Sequence, residues 1–454
     1  MSRDNKLYKS HVTSKRRNGR RSPDMERVCL ALLVAFILVI IGLCAYVFAN
    51  GSKETPEGRP TEPPVEEPSH TPTAEPTPES SVTPEPSATP EPSPTPESTM
   101  TPTPVPTVNP AVLRGEKVKG AYVGTTLNTE ERLKQWLKAA EDTELNAVII
   151  DVKLDGGQIS YAMDLKQQGA TRTIYPDMPG LIQRLKERGI YCIARIVCFK
   201  DSTIDNYAPE LMIHNPDGTI YKDNAGDTWM NPYNKKVWDY LLEISRQAVK
   251  DGFDEICYDY IRFPGSGIIA GKTENGYEYR VDFGPEAEGI SLEEIVEQFT
   301  AYAYEQLKPT GVVLSASVFG ISIRTAQEIG QNYVNLARHL DFICPMVYPS
   351  HYSSGYAGFE IPNNAPYELL LSELGHSRKR LEALLSEDVH CAKVRPWLQA
   401  FSATWLKGTI PYTGEVVREQ VRASYDVGYN TWMLWNASGK YPDGCFLQKT
   451  EELR

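Results

Sequence analysis

The chain is poor in the side chains that metal and redox chemistry need. Seven histidines are scattered over 454 residues. None forms HExxH or joins acids and cysteines at ligand spacing, so no metal site is expected. The eight cysteines contain no CxxC pair, no zinc spacing and no readable disulfide framework. Cys192, Cys198, Cys257 and Cys344 lie inside strand-like apolar runs, and Cys29 and Cys44 in another, where a thiol is a small hydrophobe. Cys391 and Cys445 fit neither pattern. No GxSxG surrounds a serine, no EF-hand loop is present, and no glycine-rich phosphate loop follows the first strand, so no cofactor is expected. Positive charge is scarce outside one segment. Residues 1–27 carry nine Lys/Arg against three acids, and the whole chain is at −12. The rest is therefore near −18, and an acidic exterior argues against nucleic acid as a partner.

Proline is abundant but confined: 18 of the 34 lie between Pro56 and Pro110. Residues 50–114, rich in Pro, Thr and Glu, cannot bury a core and favour extended polyproline II, which reads as a disordered stalk. Before it, Val28 to Ala49 is an unbroken apolar run of 22 residues, long enough at ~1.5 Å per residue to cross a ~30 Å hydrocarbon layer. The basic residues 1–27 precede it, which places that side in the cytoplasm and the remainder outside the cell. The expected membrane partner is thus a single-pass helix over 28–49. The alternative is a cleaved signal peptide, with Val47 and Ala49 at the cleavage site, and a secreted product.

From about Val118 strands and helices alternate. Strand patterns fall at 118–125, 146–153, 190–199, 254–261, 312–319, 341–348, 393–401 and 430–436. Helical patterns lie between them at 129–142, 179–188, 234–250, 291–307, 325–338, 366–385 and 414–427. Thr129 and Ser291 precede acidic first turns, and Gly189 and Gly252 stop helices just before strands. Eight strands with seven intervening helices over 115–454 predict an α/β fold, a (β/α)₈ TIM barrel, in preference to a doubly wound open sheet.

In such a barrel, chemistry sits at the C-terminal strand ends. The second strand supplies Asp151, Lys153 and Asp155, which share a face because strand side chains alternate. The third supplies Arg195, with Asp201 just past its end. The fourth, within Gly252-Phe-Asp-Glu-Ile-Cys-Tyr-Asp-Tyr-Ile-Arg-Phe-Pro264, supplies Asp259 and Arg262. The sixth ends in Tyr348 and His351, the seventh carries Trp397 and Gln399, and the eighth Trp435. Aromatic rings beside carboxylates, amides and cations suit a sugar, whose ring faces are apolar and whose rim is hydroxylated. A polysaccharide or oligosaccharide is the expected partner. Neighbouring strands should set Asp151, Arg195 and Asp259 side by side, with Arg195 holding one carboxylate ionised while a second is pushed up.

The succession ARIVCFKD (194–201), GFDEICYDYIRFP (252–264), VFG (318–320), PMVYPSHY (345–352), RPWLQAF (395–401) and WMLWNA (432–437) resembles a family of bacterial cell-surface glycoside hydrolases. These are uncharacterised glycosidase-like α/β barrels, related at fold level to the α-amylase-like glycosidases. The resemblance covers roughly 115–445 and implies hydrolysis of a cell-surface or extracellular polysaccharide. It places Asp259 where amylase-like enzymes keep their nucleophile. Their glutamate acid after strand five has no counterpart in VFGISIRT (318–325), and Gln399 stands where other retaining barrels keep a carboxylate. Asp151 is therefore the expected proton donor, with Asp155 and Asp201 in reserve. A non-catalytic glycan-binding barrel is the alternative, and a structural cell-envelope protein a third reading.

Overall fold

A computed structural model of the chain describes residues 109–449, apart from 275, 326, 387 and 388. The anchor expected at 28–49 lies outside the described residues, as does the stalk up to residue 108. Among the described residues no helix is long and apolar enough to cross a membrane.

Eight parallel strand positions close into a barrel. In chain order they are β1 (Lys119–Gly124), β2 (Ala147–Lys153), β3 (Tyr191–Val197), β4 (Glu255–Asp259), then, after a β5–β6 hairpin (Ile269–Thr273, Gly276–Tyr279), β7 (Val313–Phe319), β8 (Phe342–Met346), the split pair β9 (Lys393–Val394) and β10 (Trp397–Gln399), and β11 (Trp432–Trp435). Each pairs with its chain neighbour, β11 pairs back onto β1, and Trp397 opposite Met346 completes the ring. The seventh position is split because Pro396 has no N–H to give the ladder.

Helices α2 (Glu130–Asp142), α3 (Met178–Lys186), α4 (Lys235–Lys250), α5 (Leu292–Leu307), α6 (Tyr333–Ala337), α7 (Pro366–Ser386) and α8 (Gly414–Val427) follow the strands. Their starts are set by side chains that satisfy free backbone N–H groups. Thr129 accepts from Arg132, and Ser291 and Glu294 form a reciprocal capping box. Gly252, at φ 102°, turns the chain from α4 towards β4, a geometry costly for any other residue.

Two elements depart from the sequence pattern. The helix expected over 325–338 is only α6, because Gly330 adopts φ 76° and a Cβ there would meet the Leu292 carbonyl oxygen at 2.6 Å. Residues 110–114, counted with the stalk by composition, belong to α1 (Pro110–Gly115), with Pro110 at its first turn and Asn109 accepting from Ala111.

Helix α1 packs Ala111 and Val112 on the barrel interior. There Glu255, the first residue of β4, meets Arg395 at 2.7 and 2.9 Å. Ser315 and Tyr191 also donate to Glu255, while Arg395 donates to Thr431 and the Gly115 carbonyl. Both charges are fully buried and fully met, so this polar cluster closes the N-terminal end. Above it lies an apolar layer with Ile149, Ile193, Cys257 and Cys344.

Candidate active site

Because all barrel strands are parallel, their last residues converge on one rim. Asp259, Phe319, Met346 and Trp435 end β4, β7, β8 and β11, and all four line a cavity of about 460 Å³. Its wall also holds Asp155, Arg195, Tyr260, Arg262, Tyr348, His351, Tyr352, Tyr356 and Trp397.

The polar centre is Arg195. The register sets Asp151 opposite Arg195, and Val197 opposite Asp259. Arg195 donates through Nη1 to Asp151 Oδ1 at 2.9 Å, through Nε to Asp259 Oδ2 at 2.8 Å, and through Nη2 to Asp155 Oδ1 at 2.6 Å. Burial opposes its charge, and Asp259, Asp151 and Asp155 outweigh that cost, so its pKa stands well above the ordinary value. The expected side-by-side set of Asp151, Arg195 and Asp259 is therefore present as geometry.

The three carboxylates differ in access. Asp151 is buried behind Arg195, and its other oxygen takes a 2.6 Å hydrogen bond from the Tyr122 hydroxyl. Burial raises its pKa, opposed by Arg195 and by the Tyr122 bond. It does not line the cavity. Asp155, on the loop after β2, has half its side chain exposed and does line it. Asp259 lines it with little exposure, Oδ1 accepting from the Tyr260 N–H at 2.7 Å. Tyr260 has φ 49°, strained for a bulky residue and of order 1–3 kcal/mol. That conformation aims its N–H at the Asp259 carboxylate and puts its ring on the cavity wall.

Three expected contact residues lie elsewhere. Lys153 is fully buried, pairing with Asp201 at 2.9 Å and donating to the Lys200 carbonyl. The alternation that grouped it with Asp151 is broken by a register shift between those two residues. Asp201 Oδ1 accepts from Thr203 and Ile204, holding the loop after β3. Gln399 accepts from the Ser350 N–H and donates to Asn363 and the Phe401 carbonyl, so it ties two rim loops together.

Trp397 lines the cavity as its floor rather than as an open platform. It is 1% exposed, its Nε1 donates to Ser317, and it meets Trp435 edge-on at 5.6 Å. Trp435 stacks near Tyr122 at 4.0 Å, with the Arg195 guanidinium 5.3 Å from the Trp435 ring. Tyr348 and Tyr352 are buried, and among the described residues neither hydroxyl has a hydrogen-bond partner. His351 bonds Ser350 Oγ, and burial lowers its pKa, which favours the neutral imidazole. Sequence reasoning missed Tyr260, Phe319, Met346, Tyr352 and Tyr356 as wall residues. It also passed over Trp405, 63% exposed and stacked at 6.0 Å on Phe401, whose ring meets Tyr348. Among the described residues no group of three or more His, Cys, Asp or Glu could hold a metal ion.

Comparison with known proteins bears on the fold and the family. No relative was found among curated proteins. A hypothetical protein from Ruminiclostridium thermocellum ATCC 27405 is 36% identical over 43% of this chain and 96% of its own, with a TM-score of 0.37. The PgaB (BpsB) glycoside hydrolase domain from Bordetella bronchiseptica is 14% identical over 70% of this chain and 94% of its own, with a TM-score of 0.52. At that identity the likeness concerns the fold alone. The family described as "Putative glycosyl hydrolase domain" matches residues 120–441. That match runs from the first barrel strand to beyond the last, and this chain belongs to that glycosyl hydrolase domain family.

Proposed function

We propose that the barrel hydrolyses a cell-surface or extracellular polysaccharide with retention of configuration, with Asp259 as nucleophile and Asp155 as proton donor. One observation carries this reading. Asp155 Oδ1 and Asp259 Oδ2 contact the same nitrogen, Arg195 Nη2, at 2.6 and 2.8 Å. Those two contacts end to end keep the oxygens within about 5.4 Å of each other. That limit on the nearest oxygens accommodates the ~5–5.5 Å separation of the carboxyl groups in retaining pairs.

Asp259 suits attack on the anomeric carbon because Tyr260 N–H and Arg195 fix its carboxylate at the rim. In the first step it forms the glycosyl ester while Asp155 gives its proton to the departing glycosidic oxygen. In the second, Asp155 takes a proton from water, which attacks the ester and frees Asp259. Asp151, the donor expected from strand order, is less suited, since both of its oxygens are engaged away from the cavity. Its role in this reading is to position Arg195. The aromatic floor of Trp397 and Trp435 would take the apolar face of the sugar ring. Display at the cell surface rests on the apolar run at 28–49 and the proline-rich segment after it. Protease added to intact cells should then release the barrel.

The test is hydrolysis of a broad glycan panel by the purified protein, with the first-formed anomer read by proton NMR. Retained configuration supports the assignment, and inversion refutes it. Binding of some glycans with hydrolysis of none would favour the glycan-binding alternative. Asp259→Asn should cost several orders of magnitude in turnover.

A further inference from the structure

Two guanidinium groups line the cavity, and they are balanced differently. Arg195 faces three carboxylates. Arg262, on the loop after β4, makes no ion pair with a carboxylate among the described residues. Its guanidinium donates to one protein acceptor, the Phe263 carbonyl, at 2.8 Å. It sits among the rings of Phe319, Trp229 and Tyr260, at 4.7, 4.9 and 5.0 Å. Burial lowers its pKa, with only partial help from Tyr260, Asp259 and Asp223. Arg262 itself lines the cavity.

Resting on the glycosidase reading, we propose that Arg262 is a specificity residue that receives an anionic group on the substrate, making the substrate an acidic glycan. Neutral hydroxyls could be bonded by an amide side chain with no charge to desolvate, whereas a partly buried cation without a carboxylate partner gives up part of its hydration. Ring faces recover part of that loss. The rest is recovered when a planar acceptor engages the guanidinium fork, a geometry that matches a carboxylate or phosphate and that lysine cannot reproduce. A uronate carboxylate, a sulfate ester and a phosphate ester all offer this chemistry.

Binding of the full-length protein to matched oligosaccharides decides the matter. The probes are uronate hexasaccharides, their carboxyl-reduced neutral counterparts, and sulfated and phosphorylated sets on the same neutral backbones. At least one anionic set should bind ~10- to 100-fold more tightly than its neutral counterpart, as expected of charge-assisted hydrogen bonds. The set that does so identifies the anion. Arg262→Gln should abolish the preference, bringing the affinity ratio of each anionic glycan to its neutral counterpart close to one. Arg262→Lys should keep only part of it and guards against a Gln variant that fails to fold. Equal or tighter binding of neutral glycans, or a preference that survives in Arg262→Gln, overturns the inference and leaves the glycosidase reading standing. Binding of no glycan of either kind overturns both.

Discussion

Replacing Arg195 with methionine tests whether the rim is held together by that one cation. The substitution preserves the aliphatic stem and deletes the partner of Asp151 and Asp259, which are 3% and 6% exposed. Leaving a buried carboxylate without its counter-charge costs ~3–5 kcal/mol. Asp155 adds little, because its side chain is half exposed and water screens it. At the low end of ~2–4 °C per kcal/mol for large domains, melting should fall by ~6–10 °C at pH 7. The sign of the pH dependence follows from the same groups. Burial already raises the Asp151 pKa and Arg195 opposes that rise, so without Arg195 this carboxyl binds its proton more tightly folded than unfolded, where an aspartate pKa is about 3.9. The variant therefore loses stability as pH rises above about 4 and regains it as the carboxyl protonates. Circular dichroism melts between pH 4 and 8 should show the gap to wild type narrowing towards acid. A variant melting within ~2 °C of wild type at pH 7, or a gap constant with pH, would refute the account.

The two remaining carboxylates should separate by kinetics. Asp155→Asn should slow turnover by at least ~100-fold with little change in melting, and added azide should partly rescue the second step, whereas Asp151→Asn should lower melting and leave azide without effect. His351 titrates below its ordinary value because it is buried, so the unfolded chain binds more protons just below pH 6.5. Stability should fall as pH drops through that window, and His351→Asn should flatten the melting-temperature profile there. Trp405→Ala should weaken binding of long oligosaccharides several-fold and leave short ones unaffected, because the exposed indole lies beyond the cavity wall.

What the sequence made legible was periodic. Strand ends lay within a few residues of their expected positions because parallel strands buried on both faces read as dense apolar runs bounded by glycine, proline and caps. The same logic brought Asp151, Arg195 and Asp259 together, since adjacent strands with inward residues at equal height must touch. Failures occurred where tertiary contacts override local pattern. Composition hid α1 among prolines, although Pro110 is a sound helix start. Gly330 cut short the helix expected over 325–338 through a left-handed turn fitted against Leu292, a close approach that no window of sequence reveals. Lys153 was assigned to the cavity by alternation, and one irregular step in β2 removed it. Gln399 was assigned by strand position, yet its hydrogen-bonding capacity is taken up by the loops around it. The missed wall residues Tyr352 and Tyr356 come from a loop, where neither period applies.

Arg395 and Arg195 show why residue type alone could not separate site from scaffold. Arg195 lies on β3 and Arg395 in the break between β9 and β10; both are fully or almost fully buried, and both pair with carboxylates from β4. Arg395 is closed on every side, by Glu255, Thr431 and the Gly115 carbonyl, with α1 across the barrel end. Nothing there is left for a ligand to complete. Arg195 instead shares its donors among three carboxylates, two of which face an open cavity beside the orphan hydroxyls of Tyr348 and Tyr352. The closed cluster therefore holds the barrel at one end, whereas at the other two of the carboxylates around Arg195 line an open cavity.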